Sequence, residues 1–119
     1  MEQTLEQLLE IHLIQIWNQR DVELRTKAME NVYTKDIAMY NSDEILTGYE
    51  AINHKADVVL NRFPPNFSIY QLKANIIHNN VGKLEWGVGA NDAAPVLTGT
   101  DIIFFEDGKI KSFYVFINK

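Results

Sequence analysis

The last third of the chain constrains the fold most. Leu84-Glu85-Trp86-Gly87-Val88 alternates in character, Thr100 to Glu106 resumes the pattern, and Ile110 to Ile117 continues it beyond Asp107-Gly108. Side chains alternate across a strand, so this spacing specifies strands with one buried face. Asp-Gly between two such runs supplies the positive φ that a two-residue hairpin demands. A lone acidic residue, Asp101, embedded in an apolar strand is what a pocket on a curved sheet needs.

Three helical patterns precede the strands. Leu5, Leu8, Leu9, His12, Leu13, Ile16 and Trp17 recur at three- and four-residue spacing and make one buried face. Thr4 with Gln7 has the spacing of a capping box, and Asp21 caps a second helix through Val22, Leu24, Ala28, Met29 and Val32. Asp36 to Tyr40 reads as a short strand. Gly48 opens a third helix carrying Ile52, Ala56, Val59, Leu60 and Phe63, and Pro64-Pro65 ends it, because proline disfavours the helical conformation in the residue before it. Phe67 to Ile76 reads as one long strand, with turns at Asn79-Asn80 and from Asn91 to Pro95. The order predicts a single α+β domain over residues 1–119, with helices against one face of a mostly antiparallel sheet.

Composition narrows the function. A net charge of -5 and no basic run exclude a nucleic-acid footprint. Without cysteine there is no disulfide, thiolate metal site or thiol nucleophile. The start Met-Glu-Gln-Thr lacks a basic, apolar leader, and no run approaches the ~20 apolar residues of a membrane helix. We therefore expect a cytoplasmic protein with no membrane partner. His12, His54 and His78 lack metal-ligand spacing, and Ser42, Ser68 and Ser112 lack a nucleophile-elbow context. No metal or cofactor is expected.

Four segments carry a family resemblance: Trp17-Asn18-Gln19-Arg20-Asp21, Tyr33-Thr34-Lys35-Asp36-Ile37, Thr47-Gly48-Tyr49-Glu50-Ala51-Ile52, and the run from Gly99 to Ile110. In them the chain resembles the nuclear transport factor 2-like superfamily, which includes ketosteroid isomerases, SnoaL-like polyketide cyclases and limonene epoxide hydrolases. The resemblance implies a cone-shaped α+β barrel with three N-terminal helices on a curved sheet. Carried over from ketosteroid isomerases, the base falls on Asn41, the helix tyrosine on Leu13, and the penultimate-strand aspartate on Asp101. The cyclases' acid/base aspartate falls near Val115. No arginine near the pocket matches the Asp-Arg-Asp group of the epoxide hydrolases. Of these positions only Asp101 keeps a titratable group.

Strand parity builds the pocket. If Asp101 faces inward, so do Leu97, Gly99, Ile103 and Phe105, joined by Leu84, Trp86 and Val88 from one neighbour and Phe113, Val115 and Ile117 from the other. Met39 and Asn41 enter from the first strand; Trp17, Ile52, Ala56, Val59 and Phe63 line the helical side. A mostly apolar lining with few polar groups suits a small apolar molecule. Burial is expected to favour a neutral, proton-donating Asp101, usable as general acid or base, unless it pairs with Lys83, a turn amide or water. His12 is its candidate helper; the alternative is a satisfied core histidine.

Ile102, Phe104, Tyr114 and Phe116 fall on the outer face and predict a two-fold homodimer. Three functional readings follow. One is an isomerase, cyclase or hydrolase using Asp101 and His12. The others are a non-catalytic binder anchored by Asp101 and Asn41, and a dimeric scaffold.

Overall fold

The computed structural model describes residues 3–91 and 93–118. Helix α1 (Leu5–Ile11) starts at the Thr4–Gln7 capping box, in which each side chain bonds the other's backbone N–H. The apolar face continues past Ile11, but the helix widens into a π-helical segment, His12–Trp17. Asp21 accepts from the Glu23 and Leu24 amides and starts α2 (Val22–Val32). Strand β1 (Tyr33–Tyr40) follows directly, three residues earlier than the alternation from Asp36 indicates. A short β2 (Ile45–Thr47) leads to α3 (Tyr49–Leu60) through Gly48, whose φ of 88° lies where glycine is favoured.

The predicted strand from Phe67 to Ile76 is broken in two, β3 (Phe67–Gln71) and β4 (Ile76–His78). Both lie antiparallel to β5 (Val81–Ala90) at different places along it. Strands β6 (Leu97–Glu106) and β7 (Lys109–Asn118) complete the sheet. Asp107 and Gly108, at φ 50° and 76°, form their hairpin turn. The sheet order is β2-β1-β7-β6-β5-β3, with β4 paired to β5 off that path. Only the β1–β7 pairing is parallel. The sheet curls without closing into a barrel, because β2 and β3 have no partner on their outer sides among the described residues.

The helices cover one sheet face, and the core lies between. Leu8, Leu9, Ile16 and Met29 from the helices meet Ile37, Leu84, Ile103, Ile110 and Phe113 from the strands. Arg25, fully buried on α2, joins the second and third helices: Nε donates to Asn53 Oδ1 (2.5 Å), one terminal nitrogen to the Gln19 carbonyl (2.8 Å), the other to Asp57. Asn18 ties the end of the π-helical segment to β3 by accepting from the Ile69 amide (2.8 Å). The first helix is thereby fixed against the concave side of the sheet. No helix among the described residues is long and apolar enough to cross a membrane.

Candidate functional site

Register places Asp101 opposite Leu84 on β5 and Val115 on β7. Its parity is inward, and its residue exposure is 6%. Burying a carboxylate is unfavourable unless hydrogen bonds replace its water, and two do so here. Trp86 Nε1 donates to Oδ1 at 2.9 Å, and His12 Nε2 lies 3.0 Å from Oδ2. Lys83 is exposed and takes no part.

Trp86 reaches Asp101 because Gly99 gives way. Gly99 stands opposite Trp86 in the β5–β6 register, and the indole lies across it. A Cβ added at Gly99 would sit 2.2 Å from Trp86 Cζ2. The glycine is required by this close approach and not by its backbone angles.

His12 is wholly buried, and its second nitrogen, Nδ1, lies 2.6 Å from the Tyr33 hydroxyl oxygen. That oxygen also accepts from Trp17 Nε1 at 3.2 Å. The π-helical segment makes this convergence possible. His12 and Trp17 are five apart, which puts them about 140° apart around an α-helix; a π turn closes residue i on i+5. Both side chains thus meet one hydroxyl, supplied by the first residue of β1. Phe113 packs edge-on to His12 and Trp17 at centroid distances of 4.7 and 6.1 Å.

Donor counting assigns the protons in this chain of contacts. Burial holds the Tyr33 phenol well above its usual pKa, the Trp17 bond lowering it and the nearby Asp101 charge raising it further, so it keeps its proton. Trp17 can only donate, so Tyr33 accepts from it and has one acceptor of its own in reach, His12 Nδ1. A neutral imidazole accepting at Nδ1 carries its hydrogen on Nε2 and donates it to Asp101. Asp101 then accepts from both His12 and Trp86, with its remaining lone pairs toward the cavity. Either of the other arrangements, a protonated Asp101 donating to His12 or a doubly protonated His12, strands the Tyr33 hydroxyl hydrogen in the core. The hydrogen-bond wiring therefore makes Asp101 an acceptor toward both of its protein neighbours.

Asp101 faces a cavity of about 710 Å³. Trp17, Met39, Val59, Phe63, Trp86, Val88, Phe113 and Val115 line it with Asp101 and Asn41. Ile52, Ala56, Leu84, Ile103 and Phe105 do not reach its wall and are core residues. His12 also stays outside the wall and stands behind the Asp101 floor. Leu13, Asn41, Asp101 and Val115, onto which family roles were carried, all line the same cavity.

Asn41 is committed to its own loop: Oδ1 accepts from the Asp43 and Glu44 amides and Nδ2 donates to Glu44. An arginine does reach the cavity, contrary to the sequence reading; Arg62 lines it at an exposed position. Lys55 Nζ is 2.6 Å from Glu44 Oε2, and this bond, with Asn41 and Arg62 nearby, holds the Glu44 carboxyl below its usual pKa. His54 and His78 are exposed and apart from the site. Among the described residues no group of histidines and carboxylates could hold a metal ion. Sequence reasoning placed Asp101 and His12 but missed Tyr33 as their partner, since no local spacing relates β1 to the first helix.

No family model matches the sequence, and no curated protein matches it. Similarity appears at the level of structure. A SnoaL-like family protein from Agrobacterium tumefaciens, provisionally assigned as an isomerase, superimposes with a TM-score of 0.83 at 18% identity, covering 95% of this chain and 96% of that one. A SnoaL-like protein from Jannaschia, provisionally assigned as a polyketide cyclase, does so with a TM-score of 0.75 at 9% identity, covering 99% and 91%. A protein of ketosteroid isomerase-like fold from Catenulispora acidiphila, solved in complex with trimethylamine, gives 0.69 at 13% identity, covering 95% and 86%. The chain has the nuclear transport factor 2-like fold.

Replacing Gly99 with alanine is expected to drive the indole of Trp86 off Asp101. Stability should fall by about 1–3 kcal/mol, the usual range for overpacking, and the tryptophan near-ultraviolet circular dichroism should change. An unaltered spectrum would show that Trp86 does not depend on the glycine.

Proposed function

We propose that the cavity binds a small, largely apolar molecule and that Asp101 transfers a proton on it. The observation that carries this reading is a carboxyl group at the floor of an apolar cavity, accepting hydrogen bonds from His12 and Trp86. In the forward step an Asp101 oxygen takes a proton from the bound molecule, and the electron pair of the broken bond stays with that molecule. The resulting carboxylic acid returns the proton at a second atom. The net change is an isomerisation or ring closure, balanced without a co-reactant. His12 acts as a positioning residue, since it touches Asp101 and not the cavity.

One observation favours the non-catalytic binder as a second reading. Both indole N–H groups at the inner wall are already committed, Trp17 to Tyr33 and Trp86 to Asp101. Stabilising negative charge on a substrate would then fall to groups nearer the rim, such as Ser42, Lys55 or Arg62.

Screening apolar ketones, alcohols and amines for turnover separates the readings. With a substrate in hand, Asp101→Asn is expected to lower kcat by about 10²–10⁴, the range for general acid–base catalysis, while its affinity changes only a few-fold. Turnover retained in Asp101→Asn contradicts the catalytic reading. A ligand that binds without turnover and weakens in the variant supports the binder.

A second copy of the chain is the proposed partner on the outer sheet face. Tyr114 and Phe116 are 39% and 56% exposed there. Tyr114 stacks on Tyr40 at 4.4 Å and meets Phe104 edge-on at 5.8 Å, giving an aromatic patch that also borders the cavity through Tyr40, Tyr114 and Phe116. The wild type should scatter light as a dimer and Phe104→Glu as a monomer. An unchanged mass removes this face as the interface.

A further inference from the structure

We infer that the cavity's ligand carries a protonated amine, which seats on Asp101 at the cavity floor. This rests on the reading of the cavity as a site for a small apolar molecule and adds the chemistry of its polar end.

With His12 neutral, Asp101 has two hydrogen bonds and no cationic partner among the described residues. A buried ion pair left with one member is strongly unfavourable, and Asp101 is tolerated by its two donors and its opening to the cavity. Neither cation of the cavity wall bonds Asp101. Lys55 is bonded to Glu44, and Arg62 contributes to the same carboxylate's field. With Asp43 and Glu44 set against Lys55 and Arg62, the four charged residues at the rim balance. An ionised Asp101 at the floor has no cation beside it with His12 neutral.

Hydrogen-bond chemistry points the same way. Each carboxylate oxygen can accept more than one hydrogen bond, and each Asp101 oxygen has one donor from the protein. Because an ionised Asp101 only accepts, a ligand carbonyl or carboxylate placed there meets repulsion, whereas an N–H⁺ donates. Trp17, Trp86 and Phe113 line the wall around it, and aromatic rings favour a neighbouring cation. In the binding reading this contact is the anchor.

Isothermal titration calorimetry at neutral pH with three naphthyl probes tests this: N,N-dimethyl-1-naphthylmethylamine in its ammonium form, 1-naphthylmethanol and 1-naphthylacetate. The ammonium is expected to bind at least about tenfold more tightly than the alcohol, a difference of ~1.4 kcal/mol, and the acetate most weakly. In Asp101→Asn the ammonium should lose that advantage while the alcohol binds as before. Glu44→Gln, which alters the rim, should leave the wild-type order intact. Alcohol or acetate binding as tightly as the ammonium overturns the amine inference and leaves the apolar cavity standing. A preference that vanishes in Glu44→Gln instead of Asp101→Asn also overturns it. Failure of all three probes to bind removes the apolar-cavity reading itself. If Asp101→Asn does not fold, the wild-type ranking and Glu44→Gln still decide.

Discussion

A carboxylate placed inside a protein must be satisfied, and the site of this chain is organised around satisfying Asp101. Five side chains form one hydrogen-bonded series: Trp17 to Tyr33, Tyr33 to His12, and His12 and Trp86 to Asp101. Each member except Asp101 has a hydrogen to give, and each hydrogen has one place to go. The series therefore has a direction, and it ends on a carboxyl acceptor facing the cavity. Low dielectric surroundings strengthen such bonds and make a broken one unfavourable. The protonation of the site is thus a property of the whole fold.

The architecture supplies each member from a different place. The π-helical segment brings two residues five apart in sequence onto one hydroxyl. The parallel β1–β7 pairing positions Tyr33, the first residue of β1, beneath that helix. The β5–β6 register sets Trp86 against Gly99 and Leu84 against Asp101, so the indole crosses the glycine to the carboxylate two residues on. A slip of one residue in that register would send Asp101 to the outer face. Long, well-matched antiparallel strands guard against it.

Much of the fold was legible because it rests on local rules. The Thr4–Gln7 box, the Asp21 cap and the Asp107-Gly108 turn each depend on a few adjacent residues, and each stands where those residues place it; the third helix ends at Leu60, short of Phe63 and of the Pro64-Pro65 stop expected for it. Parity correctly put Asp101, Trp86, Val88 and Phe113 on the inner face. The π-helical segment was not legible: Leu13, Ile16 and Trp17 keep an apolar face whether the turn holds four residues or five. The early start of β1 was hidden because Tyr33 ends the apolar pattern of α2 as well as beginning the strand. Parity also cannot tell lining from core. Leu84, Ile103 and Phe105 share the inner face with Asp101, yet the first helix covers them and leaves the other end of the sheet open.

The central claim is that Asp101 accepts from His12 because Tyr33 fixes the proton on His12 Nε2. Nitrogen-15 NMR of the His12 ring at neutral pH tests it most directly. The account predicts a neutral ring with its hydrogen on Nε2 and a bare Nδ1 accepting from Tyr33. A hydrogen on Nδ1, alone or together with one on Nε2, would contradict it and return Asp101 to an undetermined state.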